Sequence, residues 1–109
     1  MSSLDSLQCV PCRIGAPILA QKEIETYLKE VNNWLYQKAP DKIVKEFEFK
    51  DFNKALNFVN KVGELAEKQG HHPNIYLHSY KKVKVELWTH KIGGLHRNDF
   101  IMAANVDKL

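Results

Sequence analysis

Phe52, Ala55, Leu56, Val59, Val62 and Ala66 recur at helical spacing and predict one amphipathic helix of about five turns. Asp51 is placed to cap its start, and Gly70 to end it in the left-handed conformation that glycine tolerates. Pro73 discourages any continuation. A helix with one apolar stripe must bury it against another layer, and the flanking segments supply a sheet. Ile43 to Phe49 alternates, with Ile43, Phe47 and Phe49 on one face beside the stem of Lys45, and Glu46 and Glu48 on the other. Asn74 to Ser79 reads as a strand and Lys82 to Trp88 as its hairpin partner, with Tyr80-Lys81 as the turn. In the second of these, Val83, Val85 and Leu87 oppose Lys84, Glu86 and Trp88.

The remaining segments complete the order. Ile24, Tyr27, Leu28 and Val31 predict a helix from Gln21 to Val31. A short strand follows over Trp34 to Gln37, then a turn at Ala39-Pro40-Asp41. Gly93-Gly94 marks a loop, and Phe100, Ile101 and Ala104 belong to a last helix from Arg97 to Asn105. The expected fold class is α+β, in the order α-β-β-α-β-β-α, with an antiparallel sheet and helices on one face. Residues 1–20 read as an extended leader and 21–109 as the domain; 109 residues suit one core.

Composition excludes several classes. A hydrophobic fraction of 44% with 27% charged residues is ordinary for a globular chain. No apolar run is long enough for a membrane span, and Met1 to Gln8 lacks the pattern of a signal peptide, so a cytoplasmic location is expected. Sixteen Lys and Arg against thirteen Asp and Glu give a net charge of +3, too mild to imply nucleic acid. The tight group Lys81, Lys82 and Lys84 straddles the hairpin turn and reads as a solvated edge that resists strand pairing. Cys9 and Cys12 have C-x-x-C spacing but sit in the irregular leader, and are expected to be reduced thiols.

Chemistry concentrates late in the chain. All five histidines fall between residues 71 and 96, and histidine exchanges protons near neutral pH without help. Pro73 holds His72 extended, so the neighbouring imidazoles of His71 and His72 point in different directions. Glu67, in the last helical turn, can accept a proton from an imidazole N–H and fix its tautomer. Asp99 lies three residues after a candidate N-cap at His96 and nine after His90, where a cap can also orient a catalytic group. No H-x-x-x-H pair or H-E-x-x-H motif is present, and adjacent histidines chelate one ion poorly, so no metal is expected. The set reads as acid–base machinery for a neutral heterocycle. Trp88 and Tyr76 are read as sheet or interface aromatics, with walls for a flat ring as the other use.

The run Glu67-Lys-Gln-Gly-His71-His72-Pro73, then Tyr76, Thr89-His90 and Asp99, resembles the signature of the pterin-4a-carbinolamine dehydratases. Phe47-x-Phe49-Lys50-Asp51-Phe52-Asn53-Lys54-Ala55 is similar to that family's strand-to-helix junction, and Trp34 to its tryptophan. Gly94 to Ala104 and the Cys9–Cys12 leader resemble the bacterial branch; the likeness spans about Gln21 to Ala104. The resemblance implies a hydro-lyase that converts 4a-hydroxytetrahydropterin, formed by aromatic amino acid hydroxylases, to quinonoid dihydropterin. It implies a four-stranded antiparallel sheet, a homodimer or homotetramer, and no metal or organic cofactor. By the same resemblance His71 and His90 would exchange protons, His72 would bind the pterin, Glu67 would hold one histidine, and Asp99 would support the pocket edge near His90. His78 and His96 lie outside the motif and are read as structural. Some relatives of this fold act as binding or assembly partners, which is the competing reading; a scaffold has no need of Glu67, His71, His72 and His90 together.

Overall fold

The computed structural model describes Leu4 and residues 18–109. Cys9, Cys12 and most of the expected leader lie outside the described residues, although Leu4 is buried against the core. The elements follow the expected order: α1 (Gln21–Leu28), β1 (Leu35–Gln37), β2 (Lys42–Glu48), α2 (Phe52–Gln69), β3 (Asn74–His78), β4 (Lys82–Leu87), a short 3-10 turn (His90–Ile92) and α3 (Arg97–Val106). The strands form one antiparallel sheet in the order β1-β2-β4-β3.

Register sorts the two sheet faces. Ile43 pairs with Leu87, Lys45 with Val85 and Phe47 with Val83, while Ile75 and Leu77 pair with Val85 and Val83 from the other side. These residues share the inner face, where Ile43, Val83, Val85 and Leu87 are fully buried. Lys45 stays on that face because its ammonium reaches Asp107 at 2.7 Å, and Trp34 Nε1 donates to the same carboxylate at 3.1 Å. The end of α3 is thereby tied to β2.

The outer face is charged and largely self-paired. Lys42 and Lys84 approach Glu86 at 3.3 and 3.7 Å, and Lys81 approaches Glu48 at 3.2 Å. Glu86 is only 6% exposed. Burial alone would push its carboxyl up, but hydrogen bonds from Lys42 and Asn74 and the charges of Lys42 and Lys84 hold it below the usual carboxylate range.

Asp51 caps α2 as expected, accepting from the Lys54 amide at 2.8 Å, and Gly70 ends it at φ +67°. The apolar stripe is narrower than its spacing suggests. Ala55, Phe58, Val62 and Ala66 are buried, whereas Phe52 and Leu56 are exposed on the flank. Phe58 accounts for the difference: it packs against Phe47 and Phe49 at 4.7 and 4.9 Å and sets which side of the helix faces the sheet. α3 is buried nearly all round, as a helix enclosed by α1, α2 and β4 must be.

Several boundaries differ from expectation, and three of the differences have a visible cause or consequence. α1 ends at Leu28, because the Glu30 and Val31 amides turn back to the Tyr27 and Leu28 carbonyls in tighter i→i−3 bonds; Val31 is still buried. The β3–β4 turn places positive φ at Ser79 and Tyr80, one residue before the expected pair, and so shortens β3. Such a turn normally advertises itself through Gly or Asn, which are absent here. β4 stops at Leu87, and Thr89 instead bridges Gly94. Gly94 fits closely there, since a Cβ would lie 2.9 Å from the Ile18 side chain and force it to shift.

Candidate active site

The left-handed Gly70 turns the chain out of α2, with the Gly70 and His71 amides both closing on the Ala66 carbonyl. His71, His72 and Pro73 then lead directly into β3. On the facing side, β4 runs out through Trp88, Thr89 and His90 before α3 begins. The site is thus assembled from one helix exit, one strand exit and one helix start.

Asp99 lies at its centre and is fully buried. Its Oδ2 accepts from Thr89 Oγ1 and from the His96 amide, each at 2.9 Å. Its Oδ1 lies 2.6 Å from His71 Nε2. A carboxylate only accepts, so His71 donates from Nε2, and in the neutral imidazole the free lone pair lies on Nδ1. The tautomer of His71 is therefore fixed by Asp99, and the 12% exposed side chain is held in one orientation. His96 completes the arrangement as the expected N-cap: its Nδ1 accepts from the Asn98 amide at 3.0 Å while its own amide donates to Asp99.

Asp99 therefore engages His71 rather than His90. It reaches the His90 region only through Thr89, the residue before it. The physical reason lies in the capping box, which turns one carboxylate oxygen back to the His96 amide and leaves the other aimed at the α2 exit. Glu67 holds His72 and not its i+4 neighbour His71: Glu67 Oε2 and His72 Nε2 are 2.5 Å apart, with both side chains largely exposed. The two adjacent imidazoles do point apart, each toward its own carboxylate.

His90 is exposed and stacks on Trp88, with ring centroids 4.2 Å apart and planes at 17°. His78 lies at the far end of β3, paired with Glu46 at 2.5 Å on the outer sheet face. Tyr76 is exposed on that same face, with Lys84 over its ring. Among the described residues no three His, Cys, Asp or Glu side chains gather in a group that could hold a metal ion.

Sequence reasoning assigned no role to Thr89. Its only signal is its place immediately before His90, and no spacing rule links it to a carboxylate ten positions later. The Trp88 ring, just past the end of β4, is stacked by the His90 imidazole.

The chain and its fold match a known family. The model of the pterin 4 alpha carbinolamine dehydratases matches residues 17–109, and the chain belongs to that family. A protein of Methylococcus capsulatus with the provisional name pterin-4-alpha-carbinolamine dehydratase is 49% identical over 107 residues, covering 98% of this chain and 93% of the relative. One from Marinobacter nauticus with the same provisional name is 47% identical over 111 residues, covering 100% of this chain and 99% of the relative. The crystal structure of a transcriptional coactivator/pterin dehydratase from Brucella melitensis has a TM-score of 0.78 at 30% identity, covering 84% of this chain and 97% of that one. A pterin dehydratase-like protein described as a RuBisCO assembly factor in the alpha-carboxysome has a TM-score of 0.61 at 27% identity, covering 71% of this chain and 88% of that one. Family membership supports a pterin dehydratase activity, and among the described residues no helix is long and apolar enough to cross a membrane.

Proposed function

We propose that the protein dehydrates 4a-hydroxytetrahydropterin, including the tetrahydrobiopterin form, to quinonoid dihydropterin by histidine acid–base catalysis. The observation that carries this reading is the buried hydrogen-bonded chain Thr89–Asp99–His71, which leaves Nδ1 of a tautomer-fixed imidazole available for proton exchange.

The reaction needs such groups. The 4a-oxygen takes a proton as the C4a–O bond breaks, the N5 lone pair forms the C4a=N5 bond, and N5 gives up its proton; water leaves. Hydroxide is a poor leaving group, so an acid and a base with affinities near the working pH each assist. His71 and His90 exchange these protons, and His72, steadied by Glu67, binds and orients the pterin. Asp99 holds His71 and stabilises the imidazolium while it is charged. Each proton transfer contributes about 10²- to 10⁴-fold.

The family also leads us to propose a homodimer or homotetramer in the cytoplasm, metabolically linked to an aromatic amino acid hydroxylase that supplies the carbinolamine. The assembly-partner reading, which one structural neighbour also exemplifies, gives no use for Glu67, His71, His72 and His90 together.

The test is to generate the carbinolamine with a phenylalanine hydroxylase and tetrahydropterin, and to follow its decay in the ultraviolet with EDTA present throughout. Saturable acceleration that drops in the His71→Ala protein is the expected result. No acceleration by folded protein at micromolar concentration contradicts the enzyme reading. Unchanged kcat/KM in all of His71→Ala, His72→Ala and His90→Ala contradicts the residue assignment.

A further inference from the structure

Four of the five histidines have hydrogen-bond partners. His71 is held by Asp99, His72 by Glu67, His78 by Glu46 and Ser79, and His96 by the Asn98 amide. His90 differs. Among the described residues its side chain is held by a face-to-face stack on Trp88. We propose that Trp88 is a positioning residue for His90, holding the imidazole flat and in one orientation for proton exchange with the pterin. The inference rests on the dehydratase reading above and extends it to a residue outside the family-derived set.

The indole is a fixed platform. Trp88 follows β4 directly, and the Ile43–Leu87 pairing sets Lys42 alongside it. The Lys42 ammonium lies 5.7 Å from the indole centroid and is itself bound to Glu86 at 3.3 Å. Glu86 is buried in the outer face of the sheet. A chain of three contacts therefore runs from the sheet to the imidazole. His90, by contrast, opens an exposed 3-10 turn and would otherwise rotate freely about its side-chain bonds.

The type of contact also suits the task. A carboxylate partner occupies one imidazole nitrogen, as Asp99 does for His71. A parallel stack restrains the ring through its face and leaves both nitrogens free at the edge. A group that must pass protons at the 4a-oxygen or N5 benefits from orientation without a consumed nitrogen.

The test pairs spectroscopy with kinetics on the full chain. In ¹H–¹³C spectra, with the His90 signals assigned by loss in His90→Gln, the wild-type His90 ring protons are expected upfield, under the indole ring current. Trp88→Leu should abolish that shift and lower kcat about 3- to 10-fold, with KM within about twofold. Trp88→Phe, which keeps a stacking face, should restore kcat to within about twofold of wild type. Unshifted His90 protons in the wild-type protein overturn the inference without any variant having to fold. A lost ring shift with unchanged kcat overturns it equally. An upfield shift in a wild-type protein that dehydrates nothing sinks the dehydratase reading and the positioning role with it, while the stack stands.

Discussion

His71 and His72 are adjacent, and each presents Nε2 to a carboxylate, at 2.6 and 2.5 Å. Their surroundings are opposite. The His71 and Asp99 side chains are 12% and 0% exposed, those of His72 and Glu67 are 62% and 79% exposed. Pro73 and the extended backbone before it send one ring inward and the other to the rim. Distance alone does not rank such pairs. In water the rim pair gives up little when broken, about 0–1 kcal/mol. The buried carboxylate serves three donors, and removing it strands all of them, which costs about 3–5 kcal/mol. The inner pair is therefore part of the architecture that sets a tautomer, and the outer pair is an adjustable edge.

The sharpest way to break this contrast is Asp99→Asn. The side chain keeps its shape, but an amide that accepts from Thr89 and His96 must present N–H to His71 and reverse its tautomer. We expect kcat/KM to fall about 100-fold in the carbinolamine assay; Asp99→Ala should in addition lose about 3–5 kcal/mol in urea unfolding. Thr89→Val comes next. It removes one of the donors to the buried carboxylate and should destabilise by about 1–2 kcal/mol, with a kcat loss smaller than that of Asp99→Asn.

Glu86 is a second buried carboxylate, on the outer face of the sheet and away from the Asp99 chain. Its folded-state affinity for protons lies below the unfolded value because Lys42, Asn74 and Lys84 outweigh burial. Its stabilisation is therefore present above the unfolded carboxylate range and disappears as pH falls through the lower folded value. Glu86→Gln should cost about 1 kcal/mol at pH 7, with the difference from wild type vanishing in acid unfolding curves. Glu67→Gln should do least: under about 0.5 kcal/mol, and less at high salt, with any kinetic effect confined to KM.

The fold was legible in the sequence wherever spacing alone decides structure. Asp51, Gly70 and the alternation of Val83, Val85 and Leu87 each act within a few residues, and each took its expected place. The misplaced features depend on context. The Ser79–Tyr80 turn adopts positive φ without a residue that asks for it, and the exposure of Phe52 and Leu56 depends on where Phe58 packs. The site divides the same way. The His96–Asp99 capping box is local and could be read, whereas the choice of His71 as the partner of Asp99 spans 28 positions and is set by how α2 meets α3. Thr89 was hidden for the same reason, and so was the Trp88–His90 stack, because a period-2 strand pattern says nothing about what lies beyond its end.

The most direct measurement compares Asp99→Asn with Glu67→Gln in one carbinolamine-decay experiment, alongside wild type. A loss of about 100-fold is expected for the first and less than about threefold for the second, with both proteins folded by circular dichroism. Equal losses in the two variants, or a fully active Asp99→Asn protein, would contradict the claim that the buried pair carries the chemistry.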